Sequence, residues 1–192
     1  MRDDDLGRQL IAVARHAIAE EFRSALVAPV TDGALHAPGA TFVTLFCRGE
    51  LRGCIGSLKA TRPVGIDVRE NARAAAFGDP RFAPLTATEF DATSIEVSLL
   101  SRAESVCFDT EAQLCSTLRP GIDGVTLELG DHRATFLPQV WESLPDPRAF
   151  LAALKDKAGL PGEFWSPRLN VALYQVTKWK ESELASVGAA AT

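Results

Sequence analysis

The order of elements limits this chain most: a hairpin, two helices and a strand, read twice. Thr41 to Cys47 (TFVTLFC) is rich in β-branched and aromatic residues and reads as a strand. Arg48-Gly49-Glu50 makes a short hairpin loop, and Leu51 to Leu58 returns. Pro63 suits the first turn of a helix with the apolar stripe Val64, Val68, Ala72 and Ala75. Gly78 stops it, with Asp79-Pro80 behind. Thr86 and Glu89 fit a capping box, Leu85 and Phe90 its hydrophobic staple. Ile95, Val97 and Leu99 then alternate with Glu96 and Ser98 along a strand.

The second half repeats that order. Val125, Leu127 and Leu129 mark a strand, Gly130-Asp131 turns it, and Arg133 to Leu137 returns. Pro138 opens a short helix, and Asp146-Pro147 caps a longer one through Phe150, Leu151, Leu154 and Ala158. Gly159 and Pro161 end it, and Leu169 to Thr177 is the final strand. A shift of 81 residues sets Gly49 on Gly130, Glu50 on Asp131 and Arg52 on Arg133. That register reads as a structural duplication. Around the halves (41–101 and 122–178) lie an amphipathic helix over 5–27, a loop over 28–39, and a helix over 109–118. Residues 1–180 then form one domain, and 181–192, without periodicity, are expected to be a disordered tail.

Composition narrows function by exclusion. No apolar run approaches the ~20 residues that span a bilayer, and the acidic start Met1-Arg2-Asp3-Asp4-Asp5 is unlike a secretory signal. The net charge of −5 has the wrong sign for a wholesale nucleic-acid surface, although 15 arginines stand against five lysines. Cys47, Cys54, Cys107 and Cys115 lack disulfide-framework spacing, so reduced thiols in a cytoplasm are expected. There is no Cys-x-x-Cys, no paired histidines at helical spacing and no acidic calcium loop, hence no metal site. No glycine-rich loop opens a helix, so no nucleotide cofactor is expected. With three histidines in the chain, a site must be built from Arg, Asp, Glu, Ser and Cys.

The segment Leu51-Arg52-Gly53-Cys54-Ile55-Gly56 stands out. Two glycines in a short strand imply a bulge or a close approach to the backbone. The period of two sets Arg52, Cys54 and Gly56 on one face, Gly53 and Ile55 on the other. A guanidinium beside a thiol favours the thiolate, and Gly56 leaves room for a ligand. Cys54 is thus a candidate nucleophile, or Arg52 with exposed amides forms an anion pocket. Equally, Cys54 packs as a small hydrophobe and the glycines admit a helix. A partner base is missing, since His16, His36 and His132 are not spaced toward Cys54. Glu96, on the polar face of a neighbouring strand, is an alternative orienting group, or more simply a partner for Arg52. Asp79 and Arg81, in the rigid loop Asp79 to Pro84, either pair internally or meet a ligand. Arg133, aligned with Arg52, completes the candidates.

Taken together, Phe42-Val43-Thr44-Leu45, Leu51 to Gly56, Asp79-Pro80-Arg81-Phe82, Ile95-Glu96-Val97-Ser98 and Phe136-Leu137-Pro138-Gln139-Val140-Trp141 resemble the AMMECR-domain family, also known as AmmeMemoRadiSam system protein A. The resemblance runs from about Phe42 to Trp179. It implies an α+β fold of two β-β-β-α-α-β halves sharing one curved, partly barrel-like sheet, with a smaller lobe beside the main body. It also implies that the glycine–cysteine motif faces a cleft between lobes, and that Memo-type and radical-SAM proteins are partners. The expected function is an accessory or ligand-binding subunit of such a modification system, with an unknown small ligand in an Arg52–Cys54 pocket. A cysteine-dependent enzyme using Cys54, or a pure protein-interaction module, is the alternative.

Overall fold

The computed structural model describes residues 3–22 and 33–184 and divides the chain into two units. The first holds the chain to Leu100 and again from Thr177; the second is Ser101–Val176. The first unit begins with α1 (Asp3–Glu21) and a 3-10 turn (Gly33–His36), followed by β1 (Pro38–Cys47) and β2 (Glu50–Gly56). Then come β3 (Arg62–Pro63), α2 (Val64–Phe77), α3 (Ala87–Asp91) and β4 (Thr93–Leu100). The second unit contains β5 (Glu104–Ser105), α4 (Glu111–Thr117), β6 (Gly124–Leu129) and β7 (His132–Phe136), a 3-10 turn (Pro138–Glu142), α5 (Pro147–Lys157) and β8 (Asn170–Tyr174). After one residue the chain becomes β9 (Val176–Lys180).

The α+β architecture is as expected, but the sheet is not shared. One antiparallel sheet runs β2-β1-β4-β9, with β3 beside β1; the other runs β5-β8-β6-β7. Neither closes into a barrel. The division follows from the final strand, expected unbroken over Leu169 to Thr177. Before Gln175 it pairs with β5 and β6; after it, the chain joins β4. Gln175 donates its N–H to Ser101 Oγ (2.9 Å) and accepts from Ser101 N–H (2.8 Å), so its backbone serves neither ladder.

In the first unit, Leu10, Ala14, Ala17 and Ile18 of α1 and Val68, Ala72 and Ala75 of α2 pack on Val43, Leu45, Ile95 and Val97 of the sheet. Small residues along both helices let them lie close to each other and to the strands. Beneath α2, buried Asp67 accepts from Thr41 N–H and Oγ1 (both 2.7 Å), Asn71 Nδ2 (2.9 Å), Ser57 Oγ (2.7 Å) and Arg62 Nε (2.9 Å). A saturated carboxylate thereby ties helix to strands. Ser57, held there and through its N–H to Thr41 O, ends β2 at Gly56 rather than at Leu58. The regular alternation of β4 also stops early: Ser98 is buried and Leu99 only partly so.

The second unit has its own core of Val125, Leu127, Phe150, Leu151, Leu154 and Val171. Trp141 stacks on Phe150 at 3.7 Å and donates its indole N–H to Asp123 O at 2.8 Å, so both tryptophan ends are satisfied. The helix expected after Pro138 is a 3-10 turn, and α4 starts at a Thr110–Gln113 capping box.

Two expectations concern the chain ends. Helix α1 stops at Glu21, and the predicted remainder to residue 27, with most of the following loop, lies outside the described residues. The tail expected to be disordered from 181 is instead helical over 181–184; 185–192 lie outside the described residues. Its anchor is electrostatic: Arg15 reaches both Glu181 oxygens at 2.5 Å, and Glu181 accepts from Ile95 N–H at 3.1 Å.

Candidate functional site

Strand β2 owes its two glycines to two different neighbours. Gly53 pairs with Leu45, on the face that meets the helices, and a Cβ there would overlap the Ala75 carbonyl oxygen of α2. Gly56 lies opposite Phe42, and a Cβ would run into that ring and come within 2.6 Å of Thr41 O. The room expected for a ligand at Gly56 is therefore filled by Phe42. Close approach, not a vacant pocket, explains both positions.

Cys54 is fixed through its backbone. β2 is the edge strand, so the Cys54 N–H and C=O point away from the sheet. Asp79 Oδ2 accepts that N–H at 2.9 Å, and Arg81 Nη2 donates to the carbonyl at 3.3 Å. Asp79 and Arg81 are themselves joined, Nε to Oδ1 at 2.9 Å and Nη2 to Oδ2 at 2.6 Å. The pair replaces the peptide of a missing neighbouring strand and closes the edge. Arg81 and the two N–H donors hold the Asp79 carboxyl far below the usual range despite its burial. The Cys54 thiol accepts from Thr44 Oγ1 at 3.3 Å.

The expected bulge is also present. Leu45 pairs with Gly53 and Phe46 with Leu51, leaving Arg52 as the extra residue. This shift breaks the period of two and sends Arg52 to α3. Its Nε and Nη2 meet Glu89 Oε1 and Oε2 at 2.9 and 3.2 Å, and Nη2 also reaches Pro84 O at 3.4 Å. Arg52 Nη1 is buried with no hydrogen-bond partner. Glu89 further accepts from Thr86 N–H and Oγ1, both at 2.9 Å, as the capping box requires. Arg52 first, and Thr86 next, lower the Glu89 carboxyl to about 2. Phe82 lies under both guanidiniums, 5.8 Å from Arg52 and 5.4 Å from Arg81.

A groove of about 460 Å³ opens at the hairpin tip, lined by Cys47, Arg48, Glu50, Leu51, Arg52, Thr88 and Glu89. Arg52 belongs to this groove, whereas Cys54 does not line it. The pairing of Arg52 with Glu96 is likewise replaced. Glu96 stands across β1 from Cys54, both being partners of Thr44, and its nearest cation is Lys178 at 4.0 Å. Arg133 lies in the second unit and pairs with Glu128 at 2.8 Å. Among the described residues, no three His, Cys, Asp or Glu side chains gather as metal ligands. No described helix is long and apolar enough to cross a membrane.

Cys47, Arg48, Glu50, Thr88 and Glu89 are the groove residues missed by sequence reasoning. Glu89 is fully accounted for as a cap residue in sequence; only the bulge gives it a second partner. The aligned hairpin turns were the available signal for Arg48.

Chemically, the groove offers donors. Glu89 is saturated, and Arg52 Nη1 is buried without a partner. Cys54, in contrast, has a hydroxyl as the partner of its thiol and a locked carboxylate on its backbone.

The AMMECR1 family model matches residues 11–179. A protein from Methanothermobacter thermautotrophicus is 36% identical over 186 residues, covering 92% of this chain and 95% of that one. One from Saccharolobus islandicus strain L.S.2.15 is 37% identical over 171 residues, covering 85% and 75% respectively. The crystal structure of an uncharacterized protein from Pyrococcus horikoshii aligns with a TM-score of 0.76 at 30% identity, over 93% of each chain. Sequence along nearly the whole length and the arrangement of elements agree: the chain belongs to the AMMECR1 family.

Proposed function

We propose that this domain is an accessory, ligand-binding subunit of a modification system with Memo-type and radical-SAM proteins. It holds a small molecule at the Arg52 groove and performs no thiol chemistry at Cys54. The observation that carries this reading is the contrast between the two residues. The Cys54 thiol is hydrogen-bonded to the Thr44 hydroxyl, far too weak a base to take its proton. Asp79, bonded to the Cys54 peptide, is held ionised by Arg81 and is a poor proton acceptor at neutral pH. Arg52, in contrast, stands on the wall of an open groove of about 460 Å³, the kind of concave site that holds a small molecule. The choice of partners is taken from what the resemblance to the AMMECR-domain family implies.

Two measurements test it. In a variant carrying Cys47→Ser, Cys107→Ser and Cys115→Ser, iodoacetamide at pH 7 is expected to alkylate Cys54 at least tenfold more slowly than free cysteine. Faster alkylation than free cysteine would restore the nucleophile. Calorimetry with purified Memo-type and radical-SAM proteins is expected to show binding to at least one, weakened tenfold or more by Arg52→Ala. Binding to neither removes the accessory role, and equal affinity of the variant removes the groove from it.

A further inference from the structure

We propose that the hairpin-tip groove binds a small zwitterion with an apolar side chain, an α-amino acid by class. Arg48 meets its carboxylate and Glu50 its ammonium group. This deepens the reading of the Arg52 groove as a ligand site and rests on it. The groove is balanced in charge but only half paired. Its charged lining residues are Arg48, Glu50, Arg52 and Glu89. Arg52 and Glu89 neutralise each other through contacts of 2.9 and 3.2 Å. Arg48 and Glu50 stand on the same groove, yet neither side chain has a hydrogen bond or an ion pair among the described residues. A lone anion there is repelled by Glu50, and a lone cation by Arg48. A zwitterion finds an opposite charge at each end, and a guanidinium grips its carboxylate in a planar fork.

Backbone geometry places the two charges. Cys47 pairs with Glu50, so Arg48 and Gly49 form a two-residue turn with φ values of 52° and 86°. Such turns favour Asn, Asp or Gly at the first position. Arg48 is the one non-glycine residue with positive φ among the described residues, and strain of this kind gathers at ligand sites. Directly opposed residues of an antiparallel pair share a face, so Glu50 lies on the face of Cys47, whose thiol donates to Glu89 O of α3 at 4.0 Å. Thr88 and Glu89 of α3 also line the groove. Thr88 Oγ1, without a hydrogen-bond partner among the described residues, can serve either end of a zwitterion. Leu51, 42% exposed on the groove, supplies apolar surface for the side chain.

Amide-resolved NMR titration of the full chain with L-leucine, N-acetyl-L-leucine and L-leucinamide tests this. The second keeps only the carboxylate and the third only the ammonium group. Leucine is expected to shift amides of Cys47–Leu51 and Thr88–Glu89, and to bind at least fivefold more tightly than either analogue. Arg48→Gly, which suits the turn better, is expected to keep or raise Tm and to weaken leucine at least fivefold without weakening leucinamide. Glu50→Gln is expected to weaken leucine similarly without weakening N-acetylleucine. No leucine shift at the groove overturns the proposal as a whole. An analogue that binds as tightly as leucine overturns the zwitterionic class. Unchanged leucine affinity in Arg48→Gly or in Glu50→Gln removes that residue from the site. Because partner binding is measured without leucine, a failed titration leaves the accessory role intact, and failed partner binding leaves the leucine result to stand alone.

Discussion

Gly53 and Gly56 lack side chains because backbone opposes one and an aromatic ring the other, and that difference has measurable consequences. In Gly53→Ala the new methyl meets the Ala75 carbonyl of α2, which cannot rotate away. A destabilisation of about 3 kcal/mol is expected in urea unfolding, against well under 1 kcal/mol for Gly33→Ala, whose surroundings are open. Two carboxylates give this region its acid sensitivity. Asp79 falls far below its ordinary 3.8, and Glu89 falls from 4.5 to about 2. Lowered folded-state values mean that the unfolded chain binds protons first as pH drops. Their stabilisation is therefore complete above about pH 4.5 and is lost downward through pH 2 and below. The urea midpoint is expected to fall across that range, and less steeply in Glu89→Gln or Asp79→Asn. A slope unchanged in both variants would place the acid sensitivity elsewhere. That the glycines mark close approaches was readable from their position in a strand. Which neighbour approaches was not, because Ala75 and Phe42 reach them through tertiary packing that no local spacing encodes.

At the scale of the element, β2 is an edge strand whose exposed peptide is closed by side chains rather than by another strand. Removing the closure with Asp79→Ala and Arg81→Ala leaves a paired donor and acceptor open to a second molecule. Concentration-dependent association is expected in sedimentation velocity, with faster amide exchange at Cys54. A monomer at all concentrations would mean that the pair does not guard the edge. Helix α3 is short, and its N-terminal box also braces Arg52 through Glu89. Thr86→Ala is expected to cost about 1 kcal/mol and to loosen Arg52. The helices and strands were largely visible in the sequence, since their stripes, caps and turns are local. The bulge at Arg52 was anticipated, but its effect was not. A one-residue slip changes where a side chain goes, and the period of two assigned Arg52 to the face of Cys54 instead of to Glu89.

Across the whole molecule, the excess of arginine is spent on the protein itself. Nine of the 15 arginines form ion pairs with carboxylates among the described residues. With a net charge of −5, no saturable binding to single- or double-stranded oligonucleotides is expected in fluorescence anisotropy at 0.15 M salt. Saturable, salt-sensitive binding would reverse that view. An order of hairpin, helix and strand was plain in sequence and recurs in both halves, although in the second a 3-10 turn stands where its first helix was expected. The splitting into two sheets was hidden, because it depends on Gln175, an unremarkable residue within a continuous β-rich run.

That run also sets a timetable. A ribosome releases residues 101–176 as one uninterrupted stretch, so everything the second unit needs is present before Trp179 emerges. The first unit must wait. Its helix α1 is made before the second unit, yet Gly7 is shaped to the Trp179 ring and Arg15 to the Glu181 carboxylate. These residues thus find their partners only after the whole of 101–176 has been made, a reversal of the usual amino-to-carboxyl order.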